Sequence, residues 1–104
     1  MKTTPDTISH LLGQLEPLDV DARAMFGEYG LYCQGKIVGL VCENTVFLKP
    51  TPASDGLEEA PPYPGAKDYR MVDAETIEDP SRFQALVSET HDLLPAAKPK
   101  KKRS

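Results

Sequence analysis

Residues 25–49 read MFGEYGLYCQGKIVGLVCENTVFLK, and this stretch decides the fold. Aromatic, β-branched and aliphatic residues fill it, apart from two short breaks at Gln34-Gly35 and Glu43-Asn44. Residues of those types favour strands, and two-residue breaks that contain Gly or Asn favour tight hairpin turns. The stretch therefore predicts three consecutive antiparallel strands, a β-meander.

The two-residue turns also predict which side chains share a face of the sheet. Counting outward from each turn places Leu31 opposite Val38 on the first hairpin and Leu40 opposite Phe47 on the second. Both faces of this meander are apolar, and an apolar face that helices leave uncovered marks an interface. We therefore predict a homodimer that forms through the face carrying Tyr29, Leu31, Val38, Leu40 and Phe47.

Two glycines interrupt the predicted strands. The same register places Gly30 opposite Gly39, with Leu48 beside Gly39 on the third strand, so the other face has a dent. A glycine within a strand costs about 0.5–1 kcal/mol relative to alanine, and a pair of them needs a geometric reason. One reason is a helix that crosses close to the sheet. The other is a groove for a ligand or a partner, formed by Gly30, Gly39 and Leu48.

The order of short motifs along the chain resembles a known family. These motifs are MFG at residues 25–27, YGLY at 29–32, the turn glycine Gly35, FLK at 47–49 and PPYPGAK at 61–67. Together they resemble the N-terminal domain of the TfoX/Sxy family of bacterial competence regulators, in the form of a stand-alone small member. The resemblance implies a regulatory module that works through protein contacts. It supplies no catalytic or ligand-binding residues.

Two helices are predicted outside the meander. Thr4-Pro5-Asp6 supplies a capping hydroxyl, a proline at the first helical position and an acid near the positive end of the dipole, and Asp79-Pro80 begins a second helix. Apolar residues then recur at helical spacing: Ile8, Leu11, Leu12 and Leu15 in the first helix, and Phe83, Leu86, Val87 and Leu94 in the second. Further strands are predicted over residues 20–26 and 69–72. The fold class is therefore α+β, with two layers: an antiparallel sheet of four to five strands and N- and C-terminal helices packed mainly on one face.

A proline-rich loop covers residues 50–67, in which we expect a short helical turn over residues 56–60. Proline-rich segments hold an extended conformation at low entropic cost. Such a loop can cover an open sheet edge or present an aromatic side chain to a partner. For the second role the candidate residues are Pro62, Tyr63 and Lys67.

Charge divides the chain into a body and a tail. The tail carries five of the 12 basic residues: Lys98, Lys100, Lys101, Lys102 and Arg103. The remaining seven stand against all 16 acidic residues, so the body carries −9 and the tail +5, which give the net −4. We predict a folded domain over residues 1–95 and a disordered basic tail over residues 96–104. An acidic body repels phosphate, which argues against sequence-specific DNA binding. The charge of the tail would allow it to bind nucleic acid, an anionic membrane or the acidic body of another copy, and such tails also serve to keep a protein soluble.

No set of residues carries an evident chemistry. His10 and His91 have no metal-ligand spacing, and Cys33 and Cys42 form no CxxC pattern. The predicted register separates the cysteines by roughly 20 Å, so free, buried or half-buried thiols are expected. An enzyme is disfavoured for want of a nucleophile, a base or a metal cluster, and we predict no catalytic residues, no metal and no cofactor.

Composition predicts a single cytoplasmic domain. A chain of 104 residues supports one modest core, no apolar run approaches the roughly 20 residues of a membrane helix, and the N-terminus lacks the apolar core of a secretory signal. We therefore expect no membrane partner. The leading hypothesis is a non-enzymatic regulatory module with a protein partner of unknown identity. The alternative is a small-ligand-binding module that uses the groove at Gly30 and Gly39.

Overall fold

The described part of the chain begins with a capped helix. The structure is a computed structural model and describes residues 3–25 and 28–94. Helix α1 spans Pro5–Leu15, and the hydroxyl of Thr4 accepts a hydrogen bond of 3.3 Å from the N–H of Thr7. Leu11 and Leu15 are buried on its inner side. The capping residues therefore place this helix as the sequence predicts.

Six strands form one antiparallel sheet. They are β1 (Val20–Met25), β2 (Glu28–Cys33), β3 (Lys36–Cys42), β4 (Thr45–Leu48), β5 (Glu59–Ala60) and β6 (Tyr69–Val72). Their order across the sheet is β1-β2-β3-β4-β6-β5. The predicted meander is confirmed. The sheet has more strands than predicted because the proline-rich loop contributes β5. The predicted last residue of the first strand, Phe26, lies outside the described residues.

Two helices follow β6. Helix α2 covers Ala74–Ile77 and was not predicted, whereas α3 covers Pro80–Leu93 and begins at Asp79 as predicted. The Asp79 carboxylate accepts a hydrogen bond of 3.3 Å from the N–H of Arg82. At the other end of α3, the Lys36 ammonium donates to the carbonyl oxygens of His91 and Leu94, at 2.9 and 3.1 Å. Lys36 thereby joins the first meander turn to the end of α3.

The long helices pack on one face of the sheet. Side chains from α1 and α3 meet alternate strand residues in a single core, which contains Leu11, Leu15, Leu31, Val38, Val41, Val46, Leu48, Val72, Phe83 and Val87. We call this side the helix face. The other side, the open face, carries Tyr32, Ile37, Leu40, Phe47 and Met71. The α+β class with two layers is therefore confirmed.

The predicted register is correct on the second hairpin, but on the first it is correct only next to the turn, where Cys33 pairs with Lys36. On the second hairpin Leu40 pairs with Phe47, and Gly39 pairs with Leu48. On the first, Leu31 pairs with Gly39 instead of Val38, because a register shift leaves Val38 as an extra residue in β3. Such a bulge moves every later side chain of the strand to the other face.

The bulge divides the predicted interface between the two faces. Leu31 and Val38 are 0% exposed in the core, and Tyr29 packs against that core. Leu40 and Phe47 lie on the open face. The prediction that these five residues share one uncovered face is therefore wrong.

The predicted dent at Gly30 and Gly39 is not formed either. Gly30 pairs with Leu40, so the two glycines are not opposite each other. A β-carbon built on Gly39 would lie 2.2 Å from the carbonyl oxygen of Phe47 and 2.9 Å from the Cα of Leu48. Gly39 is therefore required by the close approach of β4. Neither of the two predicted reasons, a crossing helix or a groove, explains the glycine at position 39.

The proline-rich loop covers one edge of the sheet. Its predicted helical turn is wrong, because a 3₁₀ turn lies earlier, at Pro52–Ser54, and residues 59–60 form β5 against β6. Arg70 on β6 holds this loop: its Nη1 donates to the carbonyl oxygen of Ser54 at 2.8 Å. Its Nε lies 3.2 Å from a carboxylate oxygen of Glu59, although the N–H does not point at that oxygen. Main-chain pairing and side-chain contacts therefore both hold the loop against the sheet.

Candidate functional site

The open face carries a cleft of about 590 Å³. Leu40 and Cys42 on β3 and Tyr69 on β6 lie on this side of the sheet, and the loop segment Pro62-Tyr63-Pro64 borders them. The remaining lining residues come from the β1–β2 hairpin and the second meander turn: Met25, Glu28, Tyr29 and Glu43. The cleft therefore lies where the proline-rich loop crosses a sheet face that the helices do not cover.

Burial changes the chemistry of two groups that line this cleft. Burial, and then the negative charges of Glu28 and Glu43, raise the pKa of the Cys42 thiol above its ordinary value of 9.0. Burial, and then the neighbouring Tyr63, raise the pKa of the Tyr69 phenol above 10.0. Both groups are therefore neutral at physiological pH, and the cleft has a mostly apolar lining with carboxylates at one end.

Glu28 organises the end of the cleft that carries the carboxylates. Its two oxygens accept hydrogen bonds from the N–H of Thr3 at 3.1 Å and from the N–H of Glu43 at 3.2 Å. Burial opposes its ionisation, but these hydrogen bonds from Thr3 and Glu43 outweigh it and hold the pKa of Glu28 below its ordinary value of 4.5. Asn44 extends the same network, because its N–H donates to the Thr3 hydroxyl and its side-chain oxygen accepts from the N–H of Thr4.

Sequence reasoning identified only part of this site. Two of the three predicted partner-loop residues line the cleft, Pro62 and Tyr63. Pro62 is buried and Tyr63 is 55% exposed, whereas Lys67 is exposed and does not line the cleft. Glu28 and Tyr69 were missed. The strand pattern predicts that Tyr69 is in the sheet, but a face cannot be assigned to it without the pairing of β4 with β6.

The thiols and imidazoles do not gather into one centre. Cys33 and Cys42 are both buried and free, as predicted. His10 Nε2 lies 2.7 Å from an exposed carboxylate of Glu78, and His91 Nδ1 lies 3.1 Å from Asp92. Across residues 3–25 and 28–94, no group of three or more His, Cys, Asp or Glu residues has the geometry to hold a metal ion.

The predicted basic tail, with Lys98, Lys100, Lys101, Lys102 and Arg103, lies outside the described residues. Within the part of the chain that the structure describes, no helix has both the length and the apolar character to cross a membrane.

A six-stranded antiparallel sheet with helices on one side and a cleft on the other defines a small α+β domain with one face available for contacts. The chain belongs to the TfoX N-terminal domain family, whose profile matches residues 10–93. This domain is not known as an enzyme family.

A relative from Spirochaeta aurantia extends the similarity over the whole chain. It is described as an uncharacterized 12.7 kDa protein in the trpE 5′ region, and it is 42% identical over 109 residues. The alignment covers 100% of this chain and 94% of the relative.

Proposed function

We propose that this protein is a non-enzymatic, cytoplasmic regulatory module of the competence-regulator type, which acts as a homodimer and binds a partner protein at the cleft of the open face. The observation that carries the proposal is the cleft itself, where the proline-rich loop crosses an apolar sheet face that none of the described helices covers. Membership of the TfoX N-terminal domain family supports the regulatory role.

Tyr63 is the residue through which we expect the partner to bind. Tyrosine supplies a large, rigid contact area with few rotatable bonds, and such residues dominate the binding energy of many interfaces. Prolines on both sides fix the main chain before binding, so little conformational entropy is lost on association. Tyr63 is 55% exposed at the rim of an apolar cleft, which is where an anchor residue would lie.

A photo-crosslinking amino acid at position 63 tests the proposal in the native cell. The matched control carries the same amino acid at Leu93, which is equally exposed at 53% but lies on α3. We expect position 63 to capture a defined protein that position 93 does not. In parallel, Tyr63→Ala should reproduce the changes in transcript levels seen on deletion of the gene, whereas Leu93→Ala should not. If deletion leaves transcript levels unchanged and both positions capture the same proteins, the proposal is wrong.

A second candidate function is small-ligand binding in the same cleft. Its volume of about 590 Å³ lies within the range of ordinary ligand pockets, roughly 300–1,000 Å³. Among the described residues its lining has tyrosines and the carboxylate residues Glu28 and Glu43 but no Lys, Arg or His. Aromatic rings beside negative charge favour organic cations. This site replaces the groove at Gly30 and Gly39.

Thermal shift with benzyltrimethylammonium, and with benzyl alcohol as the neutral probe, separates the two candidate functions. A ligand site should give a saturable rise in Tm with the cation, a smaller one with the alcohol, and a reduced one in Tyr63→Ala. Equal effects of the two probes, or none, would leave the partner-protein proposal in place and exclude a cation site.

A further inference from the structure

The two edges of the sheet differ in how far they are protected against pairing with another strand. Strands β1 and β5 are the edges. Strand β5 has two residues and is followed directly by Pro61 and Pro62, and short length and proline both block edge pairing. Strand β1 has six residues, VDARAM, and contains no proline. Strand β1 is therefore the edge of this sheet that is long enough to accept a further strand.

The outward main-chain groups of β1 follow from the hydrogen-bond pattern. Gln34 N–H donates to the carbonyl oxygen of Asp19 at 2.8 Å, one step before β1 begins. Bonds to an antiparallel neighbour alternate along a strand, so the residues of β1 that bond to β2 are Asp21, Arg23 and Met25. The N–H and C=O groups of the intervening residues point away from β2.

These outward groups have unused hydrogen-bonding capacity. Among the described residues, no main-chain group bonds to Ala22 or Ala24 on the outer side. Val20 N–H already donates to the carbonyl oxygen of Leu18 at 2.9 Å, which leaves the Val20 carbonyl. The small side chains of Ala22 and Ala24 leave this edge accessible. Another antiparallel strand could therefore be hydrogen-bonded here without breaking any hydrogen bond among the described residues.

The charged residues of β1 indicate which strand pairs with its outer edge. We infer that two copies of this chain pair through β1, antiparallel and around a two-fold axis at Ala22. In this register Asp21 of each copy lies opposite Arg23 of the other, so opposite charges meet twice across the axis. A shift of one copy by two residues places either Arg23 opposite Arg23, or Asp21 opposite Asp21 with each Arg23 opposite Asp19 of the other copy. Only the unshifted register forms its opposite-charge pairs without any like-charge pair. Cross-interface charges act mainly by disfavouring such alternatives.

The same register uses the free main-chain groups. The two Ala22 residues exchange two hydrogen bonds, and each Ala24 N–H donates to the Val20 carbonyl of the other copy, which adds two more. Asp21 and Arg23 already lie together on each copy, with Arg23 Nε 3.3 Å from the Asp21 carboxylate. The Arg23 guanidinium stacks 4.6 Å above the ring of Tyr32, which holds it on the open face.

This pairing rests on the homodimer in the proposed function and gives it a surface. A two-fold axis perpendicular to the sheet continues the six strands of one copy into the six of the other, with both open faces on the same side. Both clefts would then face a single partner, and two linked contacts bind more tightly than one.

Charge reversal tests the pairing. Asp21→Arg and Arg23→Asp each place like charges across the axis. Light scattering should therefore show monomers for each variant and dimers for the wild type. The protein concentration is set at roughly 100 μM because small interfaces give micromolar affinities. The double variant D21R/R23D restores opposite charges and should dimerise again. Mixing the two single variants should give a heterodimer, because one strand then carries two arginines and the other two aspartates. Both side chains are more than half exposed, so the fold should be retained, and circular dichroism confirms it.

Proline gives an independent test that does not involve charge. Ala22→Pro removes an outward N–H and should abolish the dimer, since the ladder with β2 does not use that group. A monomeric wild type would overturn both the edge pairing and the homodimer, while the cleft proposal would stand. A dimer that survives the single reversals and the proline would overturn the edge pairing alone.

Discussion

At Gly39 the sheet leaves no room for a β-carbon. The nearest atoms to that position are main-chain atoms of β4, at 2.2 and 2.9 Å, and the main chain cannot move aside as a flexible side chain can. Gly13 in α1 is the opposite case, because nothing lies within 4 Å of a β-carbon there.

The two glycines give a matched pair of variants. We expect Gly39→Ala to lower the free energy of unfolding by at least about 2 kcal/mol, as overpacking against fixed atoms does. Gly13→Ala should raise it by about 0.5–1 kcal/mol, because alanine is the better helix former. Urea unfolding followed by circular dichroism measures both. Equal effects at the two positions would contradict the assigned close approach of β3 and β4.

Glu28 connects residues that are far apart in the sequence through a carboxylate at the end of the cleft. Its folded pKa lies below its ordinary value of 4.5, so the ionised form is favoured in the folded state. The stability that this difference supplies is present above pH 4.5 and is lost as the pH falls through the lower, folded pKa. Gln cannot supply the charge, although it keeps the shape.

Glu28→Gln should therefore destabilise the protein in a pH-dependent way. At pH 7 the expected loss is below about 1 kcal/mol, because the carboxylate is half-exposed and water weakens its interactions. The difference from wild type should narrow as the pH falls below 4.5. Urea unfolding at several pH values measures it, with Glu89→Gln on the exposed side of α3 as the control. A difference that is constant with pH would show that the charge of Glu28 is not responsible.

At the scale of elements, the turns were predictable and the bulge was not. Gln34 and Gly35 in the first turn, and Glu43 and Asn44 in the second, all have positive φ, as two-residue hairpins require. These turns set the pairs next to them correctly. The bulge at Val38 arises from contacts that the sequence pattern does not reveal: Val38 is fully buried under the helices, and its carbonyl accepts a hydrogen bond of 2.8 Å from Lys49. Because this extra residue was not predicted, the later side chains of β3 lie on the opposite face from the one predicted.

Lys36 shows how the first turn stabilises the end of α3. Its ammonium reaches two carbonyl oxygens at the negative end of the helix dipole. Lys36→Met keeps the aliphatic stem but removes both hydrogen bonds, so the free energy of unfolding should fall by about 1–2 kcal/mol. Lys67→Met, at an exposed loop position, should change it by less than about 0.5 kcal/mol. Hydrogen exchange of amides near the end of α3 should rise only in the first variant. Unchanged exchange there would contradict the capping role.

At the scale of the whole molecule, the sequence predicted the layers better than the site. Capping residues, helical spacing and hairpin turns act over a few positions, so α1, α3 and the meander could be read directly. The cleft depends on contacts between distant segments: Thr3 bonds to Glu28, 25 positions away, and to the N–H of Asn44, 41 positions away. Tyr63 was recognised because its neighbouring prolines are a local signal, while its position above the open face required the whole sheet.

Dimerisation through β1 should make the stability of the whole molecule depend on its concentration. Only folded chains present a formed edge strand, so the dimer is linked to folding, and mass action then raises Tm as the protein concentration increases. We expect the wild type to show this rise in reversible thermal scans, Asp21→Arg to show none, and D21R/R23D to recover it. This measurement separates two roles of Asp21, because a side chain that only stabilised its own chain would shift every Tm equally at all concentrations. A concentration-dependent Tm in Asp21→Arg that matches the wild type would place the dimer interface elsewhere on the molecule.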